Sequence, residues 1–258
     1  MSEYVFAETW EKEKDRLAKL EEWLDPGTTR ILEGIGVGEG WSCLEVGAGA
    51  GSITRWMCDR VGAHGSVTAI DIDTTLVETI EHPRLTVLNR NLLTDELPGG
   101  FDVAHARLLI EHLPEPERAL ERMISCVKPG GWVLVEDMDM VTHVPVTPSE
   151  TYERVSAAAT TIMSAAGFKP YFGRSLQLLL SRAGLEDVQA EGRIPIGRKE
   201  NNPGIEMFQL TLTRLRAPAV AAGLATDADF DEALALLSDP EFVAMPPSII
   251  AAWGRVRA

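Results

Sequence analysis

An α/β fold built on a doubly wound, mostly parallel sheet is predicted by three features of the sequence. Short apolar, β-branched runs alternate with helix-periodic stretches between residues 42 and 136, the spacing of βαβ units. The first run, Leu44-Glu45-Val46, meets three alternating glycines, Gly47, Gly49 and Gly51, before an apolar-periodic stretch begins at Ser52. That order reads as strand, tight turn, helix. Polar residues then recur where later runs end, at Asp71, Asn91 and Asp137. They share one sheet edge, beyond the carboxyl ends of the strands, where ligands of such sheets bind.

Residues 8–24 carry Trp10, Leu17, Leu20 and Leu24 on one helical stripe, and the Asp25-Pro26-Gly27 breaker is expected to end that helix. A second short helix is expected at 28–35. After the glycine turn, residues 53–61 bury Ile53, Trp56, Met57 and Val61 on one face. Strand two covers 66–72, and Thr74 or Thr75 caps a following helix that packs through Leu76, Val77 and Ile80. Strands three and four cover 85–88 and 101–106. A helix at 115–127 ends at Lys128-Pro129-Gly130-Gly131, and strand five covers 132–136. Helices at 152–166 and 174–183, a sixth strand at 188–196 and a last strand at 248–256 complete the pattern. Residues 201–245 are too long for a simple connection, and their periodicity at 208–215 and 230–237 predicts a pair of helices.

The length of 258 residues suits one α/β domain with insertions. The expected division is N-terminal helices at 1–35, a core at 36–200, a helical lid insertion at 201–246 and the last strand at 247–258. A net charge of −15 argues against nucleic-acid partners, which need a basic footprint. The first residues lack the pattern of a signal peptide, and no apolar run approaches the ~20 residues that span a bilayer. A cytoplasmic protein without membrane partners is expected, as a monomer or homodimer. Cys43, Cys58 and Cys126 are widely spaced in apolar surroundings and read as buried free thiols. No histidine or cysteine spacing forms a metal site.

On the rim, Asp71 stands about 20 residues past the glycines, where an acid accepts hydrogen bonds from a ribose diol. A helix-capping carboxylate is the plain alternative, and three glycines also occur in purely structural turns. Together the two features favour a nucleoside-type cofactor. The dinucleotide fingerprint wants a third glycine at position 52, where this chain has Ser52. Glu45, beside the turn, suits an ammonium better than a pyrophosphate.

Leu44-Glu45-Val46-Gly47-Ala48-Gly49-Ala50-Gly51, Ala69-Ile70-Asp71-Ile72-Asp73, Phe101-Asp102-Val103 and Val127-Lys128-Pro129-Gly130-Gly131 occur in this order. The chain thereby resembles class I S-adenosylmethionine-dependent methyltransferases, and within them the bacterial small-molecule group similar to the enzymes of ubiquinone and menaquinone biosynthesis. The resemblance implies a Rossmann-like, seven-stranded sheet whose last strand is antiparallel between the fifth and sixth. It implies S-adenosyl-L-methionine as cofactor and S-adenosyl-L-homocysteine as product. It places Gly47, Ala48 and Gly49 against the methionine and ribose, with Glu45, Ala106 and Arg107 near the methionine end. Asp71 would hold the ribose hydroxyls, Ile72 would lie on the adenine, and Asn91 with Leu92 would recognise its edge. Arg107 could instead pair with an anionic substrate or with Glu111.

Methyl transfer to a small, partly apolar molecule follows, with a hydroxyl acceptor favoured. Such an acceptor benefits from a base; His143 is the first candidate, followed by His105, His112 and Glu111. His112 could merely cap a helix, and His105 could point into the core. Trp10, Met207, Phe208 and Met245, together with Tyr4, Phe6 and Leu212, are candidates for the acceptor pocket or for packing of the lid. The competing readings are a nicotinamide-dependent oxidoreductase and a protein that keeps the cofactor without transferring its methyl group.

Overall fold

The computed structural model describes residues 10–258; Tyr4, Phe6 and the side chain of Trp10 lie outside what it describes. Five strands come first in the chain: β1 (Ser42–Val46), β2 (Ser66–Asp71), β3 (Leu85–Asn89), β4 (Phe101–Arg107) and β5 (Val127–Asp139). A two-residue strand β6 (Val144–Pro145) precedes β7 (Glu186–Arg193), and a second, β8 (Ala244–Met245), precedes β9 (Ser248–Arg255). The main sheet has the order β3-β2-β1-β4-β5-β9-β7. β1 to β5 pair in parallel, and β9 is antiparallel between β5 and β7.

Strand order reverses between β1 and β4, and the register there sets the rim. Val46 lies opposite both Ile70 and Ala106, Asp71 opposite Asn89, and Arg107 opposite Glu136. The chain ends of β1, β2, β4 and β5 therefore converge on the glycine turn.

Helices cover both faces because the strands are apolar on both, as parallel strands are. Leu44, Val46, Ala104, Val133 and Val135 pack with Leu120 and Met123 of α3 (Pro116–Cys126) and with Leu176 and Leu180 of α5 (Leu176–Arg182). On the other face, Cys43, Val67, Val103 and Leu134 meet Ile31 and Leu32 of α1 (Trp10–Gly34) and Ile53 and Met57 of α2 (Ser52–Arg60). These elements form one compact unit, residues 24–138, 172–192 and 249–258. The cysteines are buried and unbridged, and desolvation pushes the Cys58 thiol up to about 11.

Residues 10–23, 139–171 and 193–248 form a second unit. Its core gathers α4 (Glu150–Ala165), α6 (Pro203–Ala221) and α7 (Asp227–Ser238) around Tyr152, Phe208, Phe230 and Phe242. The helix starts are fixed locally. Ser149 accepts the Tyr152 N–H at 3.1 Å, and Thr226 and Asp229 form a reciprocal capping box. No helix among the described residues is long and apolar enough to cross a membrane.

Two expected elements differ. The break at Asp25-Pro26-Gly27 does not occur: α1 runs through with Pro26 inside it. Thr29 bonds back to the Asp25 carbonyl at 2.8 Å, and the side-chain bonds of Asp25 and Thr28 described below hold this turn in place. Tertiary contacts of this kind override a weak local propensity. After β2, the expected helix is a single 3-10 turn, Val77–Thr79. Asp73 accepts both the backbone N–H and the hydroxyl of Thr75, at 3.1 and 2.6 Å, and the short path past Pro83 to β3 leaves room for one turn only. Val77 is nevertheless fully buried and packs with Ala48 and Ile80.

Phe230, 0 % exposed in the core of the helical unit, sets a test of that core. Phe230→Ala is expected to cost about 3–5 kcal/mol in urea unfolding; a loss below about 1 kcal/mol would show that the side chain is not packed there.

Candidate active site

The glycine turn owes its shape to backbone that only glycine adopts easily. Gly47, Gly49 and Gly51 have φ of 73°, 56° and 84°, the left-handed region that penalises a Cβ. A Cβ on Gly47 would lie 3.1 Å from Leu109, and one on Gly51 only 2.5 Å from Ile80. The Gly47 N–H donates to the Ile70 carbonyl at 2.8 Å and ties the turn to β2. Gly51 is the N-cap of α2 and supplies no side-chain acceptor, so the first N–H groups of α2 are not capped by a side chain.

Asp71 closes the turn from β2. Its Oδ2 accepts the Gly49 N–H at 3.0 Å and its Oδ1 accepts the Asp73 N–H at 3.1 Å. Burial lifts its pKa above the usual carboxylate value, while the N–H groups of Gly49, Asp73 and Ile72 pull the other way. Next to it Ile72 is 67 % exposed, an unusual position for a large apolar side chain beside a polar rim. Asn91 uses its Oδ1 to accept the Leu93 N–H at 2.8 Å, which leaves its amide nitrogen as the donor for a ligand. Its own N–H donates to Asp95 at 2.9 Å. Leu92 and Ala106 are buried in the core, and Ala48 packs under the turn. A carboxylate, an exposed apolar face and a turn whose three glycines leave the backbone open to close approach fit an adenosyl group carrying a methionine tail.

Beneath the rim lies a chain of buried polar groups. His105 is 0 % exposed; its Nδ1 is 2.8 Å from Glu45 Oε2 and its Nε2 is 3.3 Å from Glu136 Oε2. Thr28 donates to the same Glu136 oxygen at 2.5 Å. Arg107 donates to Thr28 at 2.9 Å and to Asp25 at 2.8 Å, and the Ser52 hydroxyl donates to Asp25 at 3.0 Å. Burial works against a charged His105 and is the largest single influence. The attraction of Glu45 and Glu136 outweighs it and lifts the imidazole to about 9. With both nitrogens occupied, His105 has none left to take a proton from an acceptor. Arg107 likewise pairs with Asp25, not with Glu111.

Glu111 is also buried, and its carboxylate accepts the Met138 N–H at 2.8 Å. His112, 3.6 Å from Glu111, ends a short 3-10 turn and keeps 30 % side-chain exposure. Both are bound into the turn after β4, where Leu108 has a φ of 51°, rare for leucine.

The remaining candidates belong to the helical unit. His143 sits edge-on to Phe208, ring centroids 4.2 Å apart, and 5.8 Å from Tyr152. Its ring nitrogens are out of solvent without a geometrically sound hydrogen bond. Burial lowers its pKa to about 4, opposed weakly by the Met245 backbone, so it is neutral near pH 7. Met207 and Phe208 are 4 % and 3 % exposed, Leu212 is fully buried, and Thr211 donates to the Met207 carbonyl at 3.0 Å. Met245 lies on β8, paired with Val144.

Reading the sequence missed Asp25, Thr28 and Glu136, which join the rim through side chains, and Leu109, which lies against Gly47. Glu136 carries the one signal available, an acid that directly follows the apolar run Val133-Leu134-Val135. Thr28 carries none, being an ordinary helix residue. Among the described residues no cluster of three metal-ligating side chains occurs.

A methyltransferase-domain family model matches residues 3–190. The methyltransferase str2 of Strobilurus tenacellus is 27% identical over 199 residues, 74% of this chain and 70% of its own. A ubiquinone biosynthesis O-methyltransferase of Albidiferax ferrireducens is 31% identical over 109 residues, covering 39% of this chain and 42% of its own. Among solved structures, phosphoethanolamine N-methyltransferase 2 of Haemonchus contortus superposes with a TM-score of 0.53 at 16% identity, over 95% of this chain and 53% of that one. At that identity the likeness concerns the fold.

Two results test this geometry. Asp71→Ala should weaken adenosyl-cofactor binding by about 1.5–3 kcal/mol, the worth of a charged hydrogen bond; unchanged affinity in a folded variant removes Asp71 from the site. The histidines give opposite pH slopes. His105, raised from 6.5 to about 9, contributes stability that is complete below pH 6.5 and lost as pH rises towards 9. His143, lowered to about 4, contributes stability that is complete above pH 6.5 and lost as pH falls towards 4. Unfolding curves of wild type and His105→Leu across pH 6.5–9 should converge; parallel curves refute the charged triad.

Proposed function

The chain belongs to the methyltransferase-domain family, and on that footing we propose that it transfers the methyl group of S-adenosylmethionine to a hydroxyl oxygen of a small, partly apolar molecule. The observation that carries this reading is the rim: Asp71 and the exposed Ile72 beside a glycine turn whose positive φ at Gly47, Gly49 and Gly51 disfavours side chains. Asp71 is assigned to the ribose hydroxyls, Ile72, Asn91 and Leu92 to the adenine, and Gly47, Ala48 and Gly49 to the backbone cradle. Glu45, Ala106 and Leu109 border the methionine end. Bound there, the cofactor supplies a methyl group on a good leaving group, a sulfonium. The protein's task is alignment and exclusion of water.

The hydroxyl proton needs an acceptor as the new bond forms. His143 is assigned that role, because it is neutral at working pH and its ring nitrogens make no well-formed hydrogen bond. Phe208, Met207, Met245 and Trp10 are assigned to the apolar surroundings of the acceptor. The O-methyltransferase relatives support oxygen as the methylated atom. A nicotinamide oxidoreductase is disfavoured by Ser52, where a dinucleotide turn wants glycine.

Incubation with S-adenosylmethionine and a panel of phenols and enols, followed by mass spectrometry, is expected to give a methylated product and an equal amount of S-adenosylhomocysteine. Tight calorimetric binding of NADH with none of S-adenosylmethionine overturns the assignment. His143→Ala should lower kcat by about 10²-fold or more, the usual worth of a general base, with cofactor affinity unchanged. Undiminished turnover returns His143 to a packing role.

A further inference from the structure

The buried groups under the rim form one connected path, and its geometry has a direction. Glu45 ends on the side of the glycine turn. His105 is gripped between Glu45 and Glu136, with distances of 2.8 and 3.3 Å. Glu136 is held in turn by Thr28, and Thr28 by Arg107, whose other donor nitrogen reaches Asp25. Asp25 also accepts from Ser52, the first residue of α2. The path begins beside the turn at Glu45 and returns to it at Ser52, having passed through β4, β5 and α1.

A carboxylate on a strand end has free rotation about its side chain unless something fixes it. Here the fixing group is His105. Glu45, Glu136 and His105 are 4 %, 0 % and 0 % exposed, so bulk solvent does not compete with the imidazole as partner. A neutral imidazole has one N–H and can donate to one carboxylate only; serving both needs the doubly protonated ring. The ionisable groups facing it are Glu45 from β1 and Glu136 from β5, both favouring its charged form. Arg107 lies beyond Thr28, and Asp25 beyond Arg107.

Resting on the reading of the glycine turn as the methionine-binding end, we propose that His105 is a positioning residue for the methyl donor: clamped by Glu136, it holds Glu45 in the orientation that receives the α-ammonium of the cofactor. His105 itself touches no substrate. Arg107, Thr28 and Asp25 anchor the far end of the clamp and connect it to the start of α2.

Two ligands separate this role from a merely structural one. S-adenosylhomocysteine carries the α-ammonium, and 5′-methylthioadenosine lacks the whole amino-acid tail. Calorimetric affinities of the full chain for both, expressed as a ratio, isolate recognition of the tail. Glu45→Gln should lower the preference for S-adenosylhomocysteine about tenfold. His105→Gln, whose amide nitrogen stands where Nε2 stood and reaches Glu136 only, should lower it similarly while leaving 5′-methylthioadenosine bound as in wild type. His105→Asn, whose amide nitrogen replaces Nδ1 and reaches Glu45, should restore most of the preference.

If Glu45→Gln changes the ratio and His105→Gln weakens both ligands equally, or neither, the positioning role is overturned and the Glu45 assignment stands. If Glu45→Gln leaves the ratio untouched, the methionine-end reading itself falls, and the proposal with it. Should His105→Gln fail to fold, Glu136→Gln approaches the ring from its other side: a selective loss for S-adenosylhomocysteine supports the proposal, and an equal loss for both ligands overturns it.

Discussion

Ionisable groups removed from water need partners, and this constraint organises the carboxyl edge of the sheet. Stripping a carboxylate of water costs several kcal/mol unless charge and hydrogen bonds compensate. Glu45 and Glu136 satisfy that demand through His105, and Glu136 again through Thr28. One consequence reaches the local structure of α1. Thr28 must stand at a fixed distance from Glu136, and Asp25 from Arg107, so the chain between them is held in helical form although it contains Pro26 and Gly27. A proline inside a helix forfeits one backbone hydrogen bond and crowds the preceding turn. Here that cost is offset by the side-chain bonds of Asp25 and Thr28, which flank the proline within the same turn of the helix.

The parts of the molecule legible in the sequence were those that need a special residue type. Positive φ at Gly47, Gly49 and Gly51 admits few substitutes, and the pattern marks the turn directly. Parallel strands covered on both faces must be apolar throughout, so β1, β2, β4 and β5 announced themselves, and apolar periodicity marked the helices of the second unit. Pro26 and the segment after β2 misled for the same reason as each other: local propensity was read where distant bonds or short chain length decide. The polar path escaped for a different reason. Its members lie on α1, β1, β4 and β5, far apart in sequence, and neither threonine at a mid-helix position nor histidine in a strand has a spacing that betrays a partner.

The acceptor side proposed above left less trace still. An apolar pocket can be made from many combinations of Met, Phe, Leu and Trp, so residues 140–247 carry no pattern comparable to the glycine turn. His143 illustrates the difficulty. In the sequence it is one of five histidines; only its place among Phe208 and Tyr152, without hydrogen-bond partners for its nitrogens, distinguishes it from His105. The same side chain is driven in opposite directions by two surroundings. Aromatic neighbours strip His143 of its proton, and flanking carboxylates fix one on His105.

That contrast bears on the donor. The path under the rim contains three carboxylates, Asp25, Glu45 and Glu136, against Arg107 and a protonated His105, which formally leaves one negative charge beside the glycine turn. In surroundings of low dielectric such a charge acts over several ångströms. A donor bound as proposed arrives with a sulfonium, an ammonium and a carboxylate, a net positive charge, and leaves as a neutral thioether once the methyl group has gone. The field that favours entry of the donor therefore has less hold on the product. Deprotonating His105 would double the negative charge and leave the ring a single N–H for the two carboxylates, trading orientation for attraction. The arrangement observed, with both ring nitrogens engaged, keeps the smaller charge and the fixed geometry.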